Sequence, residues 1–125
     1  MTDHGHFHWN ELMTRDVAAA KAFYADTIGW TYSDMPMPNG TYTVINDGDA
    51  FVGGMFDITS PEFAESPTGW FAYIAVDDVD ARLAKAKAAG ASVIREPFDV
   101  PDVGRIAILV QPDGAAIGWI TPANP

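Results

Sequence analysis

Thr14-Arg15-Asp16-Val17-Ala18-Ala19 returns as Val76-Asp77-Asp78-Val79-Asp80-Ala81, each time after an alternating apolar stretch and before an alanine-rich helical pattern. Farther along, Gly40-Thr41-Tyr42-Thr43-Val44-Ile45 matches Gly104-Arg105-Ile106-Ala107-Ile108-Leu109, and Val52-Gly53-Gly54-Met55-Phe56 matches Ala116-Ile117-Gly118-Trp119-Ile120. One supersecondary unit is written twice. Halves of about sixty residues bury too little apolar surface to be comfortably stable alone. The repeat therefore implies a single domain over 1–125 with a shared core, a first unit over 7–56, a connection over 57–68 and a second unit over 69–121.

Within each half the periodicity changes from two to 3.6 and back. Phe7, Trp9, Glu11 and Met13 share one face of a first strand. Asp16 is placed to cap a helix running to about Thr27, with Val17, Ala20, Phe23, Tyr24 and Ile28 at helical spacing and Gly29 able to end it. Strands over 30–34, 41–46 and 50–56 follow, the first pair broken by Pro36, Pro38, Asn39 and Gly40 and the second joined by Asp47-Gly48. The second half repeats the order: a strand over 69–76, a helix from about Asp78 to Ala89 stopped by Gly90, and strands near 92–96, 105–110 and 115–121. Pro97 to Asp102 and Gln111 to Gly114 are read as the turns between them. The expected fold class is α+β, two βαβββ units with eight strands curved around one cavity and the helices outside. Phe23, Leu83 and the helix alanines are expected in the core.

Composition narrows the function. The 125 residues carry seven Lys plus Arg against seventeen Asp plus Glu, a formal charge of -10. That charge repels a phosphate backbone and provides no basic stripe, so neither nucleic acid nor a membrane surface is an expected partner. Without cysteine there is no disulfide framework and no thiolate chemistry. No cationic-then-apolar leader opens the sequence and no apolar run approaches about 20 residues, so a cytoplasmic location is expected.

These residues together resemble the vicinal oxygen chelate superfamily of glyoxalase I, bleomycin and fosfomycin resistance proteins and extradiol dioxygenases. The resemblance rests on Thr14-Arg15-Asp16-Val17-Ala18-Ala19-Ala20-Lys21-Ala22-Phe23-Tyr24, Ile28-Gly29-Trp30, Tyr73-Ile74-Ala75-Val76-Asp77-Asp78-Val79-Asp80 and Pro112-Asp113-Gly114, in that order over almost the whole chain. The first strand, with Trp9, Glu11-Leu12-Met13-Thr14, is most similar to small actinobacterial glyoxalase-like proteins. The resemblance implies a homodimer, and in metal-dependent members a ligand from the first and fourth strand of each unit. Those positions here are Trp9, Gly54, Phe71 and Gly118, and no side chain among them can ligate a divalent ion. No metal or other cofactor is expected.

What remains at those positions suggests a different cavity. Two aromatic rings and two glycines favour a flat, largely apolar guest lying in an inter-module or dimer cleft, with stacking contributing about 0.5–1.5 kcal/mol beyond area burial. Trp9, Met13, Gly54, Phe71, Arg105 and Gly118 are the expected ligand-binding residues. Glu11 beside Trp9, and Tyr73 beside Phe71, are the candidate catalytic groups, since a carboxylate on an apolar inner face can serve as a general base. Each has a bland counterpart: space-filling aromatics, an ion pair of Glu11 with Arg105 or Arg15, and glycines at close strand crossings. His4, His6 and His8 form an alternating run whose members share one strand face, a spacing that can hold nickel, copper or zinc, though parity puts His8 opposite Trp9 and a place near a terminus favours solvated histidines. Asp77, Asp78 and Asp80 read as a helix cap. The leading function is a small-molecule-binding, resistance-type module. The alternative is a lyase, isomerase or dioxygenase-like enzyme, either metal-independent through Glu11 and Tyr73 or with relocated metal ligands.

Overall fold

The computed structural model describes residues 4–37 and 40–123. Its element order is β1 (Phe7–Thr14), α1 (Val17–Ile28), β2 (Thr31–Met37), β3 (Gly40–Asp47), β4 (Ala50–Asp57), a short 3-10 turn (Pro61–Phe63), β5 (Gly69–Ala75), α2 (Val79–Ala88), β6 (Ser92–Val100), β7 (Gly104–Val110) and β8 (Ala116–Pro122). The protein is therefore α+β, with eight strands, two helices and the βαβββ order given twice. Residues 9–70 form one compact unit, and residues 1–8 with 71–125 the other.

In the 9–70 unit the strand order is β2-β3-β4-β1. Here β1 runs parallel to β4, and the remaining pairs are antiparallel. Parity along β1 sends Leu12 to one face, where it packs with Ile45 and Met55 under Val17, Ala20 and Tyr24 of α1. Trp9, Glu11 and Met13 consequently occupy the face away from α1. The helix begins where Asp16 accepts a hydrogen bond from the Ala19 N–H at 2.9 Å, and it ends at Gly29, whose φ of 79° is left-handed.

The other unit repeats the scheme, with strand order β5-β8-β7-β6 and β5 parallel to β8. Its core joins Val76, Val79, Leu83, Ala86, Ala107, Leu109 and Ile117 between α2 and one sheet face. Asp78 caps α2 by accepting from the Ala81 N–H at 3.1 Å, as the sequence predicts. The segment before β1 belongs to this unit: the Gly5 N–H donates to the Ala75 carbonyl at 2.7 Å, and the Ala75 N–H to that of His6 at 2.9 Å.

Three sequence expectations are corrected. Phe23 is not core but 58% exposed. Val17, Ala20 and Tyr24 fall on one helical stripe, so Tyr24 takes the inward position and Phe23, one residue earlier, packs edge-on against its ring at 5.0 Å. Pro36 does not end β2 but lies within it, opposite Thr41; Pro38 and Asn39 lie outside the described residues. Likewise Pro97 lies inside β6, whose register slips between Val93 and Arg95 and again between Arg95 and Phe98. Both strands stand at the end of their strand order, where a missing N–H leaves no ladder bond unmade and bulges absorb the kink.

Candidate ligand site

The face of the 9–70 unit turned away from α1 gathers Trp9, Glu11 and Met13 from β1, Tyr42 from β3, and Gly54 and Phe56 from β4. Register aligns Glu11 with Gly54 and Met13 with Phe56. Trp9 and Tyr42 are half-buried, as is Glu11. The Trp9 Nε1–H donates to the Tyr42 hydroxyl at 3.1 Å, and that hydroxyl donates to Glu11 Oε2 at 2.6 Å. The second distance is that of a charge-assisted O–H···O bond. Indole, phenol and carboxylate thus form a directed chain ending on Glu11.

Tyr42 was not among the residues singled out from sequence. It lies on β3, two strands after β1 along the chain, and only the β3–β4–β1 pairing carries it to the Trp9 face. Its placement also corrects the expectation that Gly54 leaves empty volume, because a Cβ at Gly54 would collide with the Tyr42 phenol. Gly54 is small because Tyr42 lies over it.

The unit containing β5–β8 repeats the device with different residues. Tyr73 is aligned with Gly118, and a Cβ at Gly118 would collide with the Tyr73 ring. Tyr73 is buried at 8% exposure, with Phe71 edge-on to it at 5.3 Å. Glu11 and Tyr73 are repeat mates. A phenyl ring on the first strand reaches over the facing glycine by itself, whereas a carboxylate leaves room that Tyr42 fills from the next strand but one.

Arg105 stands elsewhere. Alternation along β7 puts it with Ala107 and Leu109 on the α2 face, while Ile106 and Ile108 share the face of Tyr73 and Gly118. Its guanidinium donates to both oxygens of Asp80 at 2.7 and 3.1 Å and to Asp99 at 3.2 Å. These hydrogen bonds push the Arg105 pKa up and hold the Asp80 carboxyl below its usual range. Arg15 donates to the carbonyls of Phe63, Ala64 and Ser66 and to the Thr68 hydroxyl, at 2.8–3.3 Å. Those bonds fasten the 57–68 connection, and Phe63 within it packs at 5.2 Å on Phe56, next to Met13.

The histidine run does not form a ladder. Strand geometry starts only at Phe7, and Gly5, with φ of 88°, breaks the alternation that would align His4 with His6 and His8. His4 instead accepts from the Asp77 N–H through Nδ1 at 3.0 Å. Among the described residues no three His, Asp or Glu side chains converge as a metal site. The side chains of Trp9 and Phe71, and the glycines Gly54 and Gly118, offer no carboxylate, imidazole or thiolate donor.

The model of the Glyoxalase/Bleomycin resistance protein/Dioxygenase superfamily matches residues 5–118. CFP32 of Mycobacterium bovis, named as a candidate glyoxylase, is 47% identical over 116 residues, covering 92% of this chain and 43% of CFP32. DnrV of Streptomyces peucetius, named as an anthracycline biosynthesis protein, is 33% identical over 120 residues, covering 86% and 44% of the two chains. The chain spans less than half the length of either relative. The crystal structure of methylmalonyl-CoA epimerase from Mycobacterium tuberculosis superposes with a TM-score of 0.65 over 96% of this chain and 89% of that one, at 17% identity, a likeness of fold. With the family match extending over nine-tenths of its length, this chain belongs to the Glyoxalase/Bleomycin resistance protein/Dioxygenase superfamily.

Proposed function

We propose that the protein binds a small, flat, partly aromatic molecule without a metal ion, using the Trp9–Glu11–Met13 face, and that it acts as a sequestering or accessory module. The reading takes a cytoplasmic homodimer as its setting. The observation that carries it is the Trp9–Tyr42–Glu11 chain: an indole and a phenol fixed by hydrogen bonds beside a carboxylate, with Trp9 at one of the positions where the family resemblance puts a metal ligand. Fixed aromatic faces supply area at little entropic cost, and one oriented carboxylate supplies direction. Phe71 and Tyr73 supply the corresponding aromatic pair in the second unit. A coenzyme A ester carries several negative charges and meets a chain of formal charge -10, so a neutral or cationic guest fits better. The polycyclic chromophore of an anthracycline, the class named for DnrV, has that flat aromatic character.

The test is a thermal-shift and tryptophan-quenching titration with a polycyclic aromatic panel that includes an anthracycline, since a ligand of the folded state raises stability by RT ln(1 + [L]/Kd). Binding that weakens about tenfold or more in Trp9→Ala and Glu11→Gln supports the reading. Saturable binding unaffected by either variant refutes this placement. Elemental analysis of untagged protein purified without chelator is expected to find no stoichiometric iron, nickel, zinc or manganese.

A second reading keeps the same face and makes Glu11 a general base in a metal-independent lyase or isomerase. The 2.6 Å phenol–carboxylate bond favours it, because it supplies a proton path between Glu11 and Tyr42. Loss of turnover in Glu11→Gln with substrate binding retained would separate it from simple sequestration.

A further inference from the structure

A second cleft lies in the unit formed by residues 1–8 and 71–125, on the α2 side of its sheet and therefore on the face opposite Tyr73 and Gly118. It is a shallow depression, largely open to solvent, of about 430 Å³. Ile74, Val76 and the Trp119 ring give it an apolar floor, and His4, Arg82 and Lys85 stand at its rim. From α2 and its C-cap the facing positions are Ala86 and Ala89, whose short side chains leave the space open.

The charges at this rim depart from those of the whole chain. Only seven Lys and Arg stand against seventeen Asp and Glu, yet two of the seven line this one cleft. Asp77 is the acid that pairs here, accepting from Arg82 Nε at 2.8 Å and from its Nη2 at 2.9 Å, with His4 Nδ1 3.5 Å away. That pair matches the Arg82 charge. Lys85 has no ion-pair partner among the described residues; its neighbour Lys87 pairs with Glu96 instead. The cleft therefore combines an apolar floor, an indole and the exposed ammonium of Lys85, in the last turn of α2, which makes no ion pair among the described residues.

We propose that this cleft is a binding site for a small amphipathic anion, an aliphatic or aromatic monocarboxylate whose apolar body lies on Trp119 and whose carboxylate meets Lys85. Lys85 makes no ion pair among the described residues, and a carboxylate seated in the cleft supplies one. A cation of the same shape would meet Lys85 with like charge. The site is independent of the Trp9–Glu11 face and stands whether or not that face binds a guest.

The experiment is a titration of the ¹⁵N-labelled 125-residue protein with octanoate below its micellar concentration, followed through the four tryptophan indole N–H signals, Trp119 being assigned by Trp119→Phe. Saturable movement of the Trp119 signal, with Trp9, Trp30 and Trp70 unmoved, is expected, together with no such response to octylammonium. Lys85→Glu, at an exposed position, should weaken octanoate about tenfold, and Ala89→Leu should block it by filling the space. Retained dispersion in the amide spectrum shows that each variant folds, and the Lys85→Glu result decides the matter if Ala89→Leu does not. Equal response to octanoate and octylammonium, an unchanged affinity in Lys85→Glu, or a Trp119 signal that does not move would overturn the proposal.

Discussion

Replacing Gly54 by alanine drives a methyl group into the Tyr42 phenol. Overpacking of this kind costs about 1–3 kcal/mol, and urea unfolding should show that loss. The loss should nearly vanish when Gly54→Ala is made in a Tyr42→Ala background, a coupling that a double-mutant cycle reads directly. Were Gly54 small for a backbone reason, the second change would rescue nothing. At the same place Tyr42→Phe removes the hydroxyl that both accepts from Trp9 and donates to Glu11. The expected cost is about 1 kcal/mol of stability, with a further loss of guest affinity as Trp9 and Glu11 lose their common anchor. From the linear sequence Trp9 and Glu11 are legible as face-mates, because strand alternation is a local property. Tyr42 is not legible, because its role depends on which strand lies between β3 and β1.

The two helices and the 57–68 connection make separate predictions at the scale of elements. Asp16 and Asp78 each accept from the N–H three residues on, so Asp16→Ala or Asp78→Ala should each cost about 1 kcal/mol in urea unfolding, and Asp→Asn should restore most of it. Arg15→Ala releases three carbonyls and the Thr68 hydroxyl in the connection. Its expected signature is local: faster amide exchange over residues 58–68, with protection in β3 and β4 unchanged. A global loss of protection would show instead that the connection is part of the core. Helix positions and caps are readable from sequence because they depend on neighbours within four residues. The extents of β2 and β6 are not, since Pro36 and Pro97 read as breaks until the strand order places both at an edge.

For the molecule as a whole, acid response follows from depressed carboxyl groups. Hydrogen bonds from Arg82, then its charge, hold the Asp77 carboxyl far below its ordinary value of 3.8, and Asp57, Asp80 and Asp113 are lowered by their own hydrogen-bond partners. A carboxyl lowered in the folded state adds stability that is fully present above its unfolded pKa and is lost as pH falls below it. The stability difference between the protein and Asp77→Asn should therefore be largest and constant above about pH 5, then shrink steadily below pH 4. Urea unfolding of the two proteins across that range provides the check, and a difference independent of pH would show that the ion pair is not the source. Comparing the pair cancels the relief of self-repulsion that both experience as the charge of -10 is titrated away.

The doubled Thr14–Ala19 and Val76–Ala81 pattern, strand parity and the two Asp caps were determined by the sequence alone. Each is set by residue chemistry or by contacts a few positions apart. Only the tertiary structure decided that Tyr42 and Tyr73 fill the space over Gly54 and Gly118, that Arg105 serves Asp80 and Asp99 on the helix face, and that His4 turns to Asp77 rather than to His6 and His8. Those outcomes depend on strand order and register, which bring together residues 6 to 73 positions apart and which no local pattern encodes.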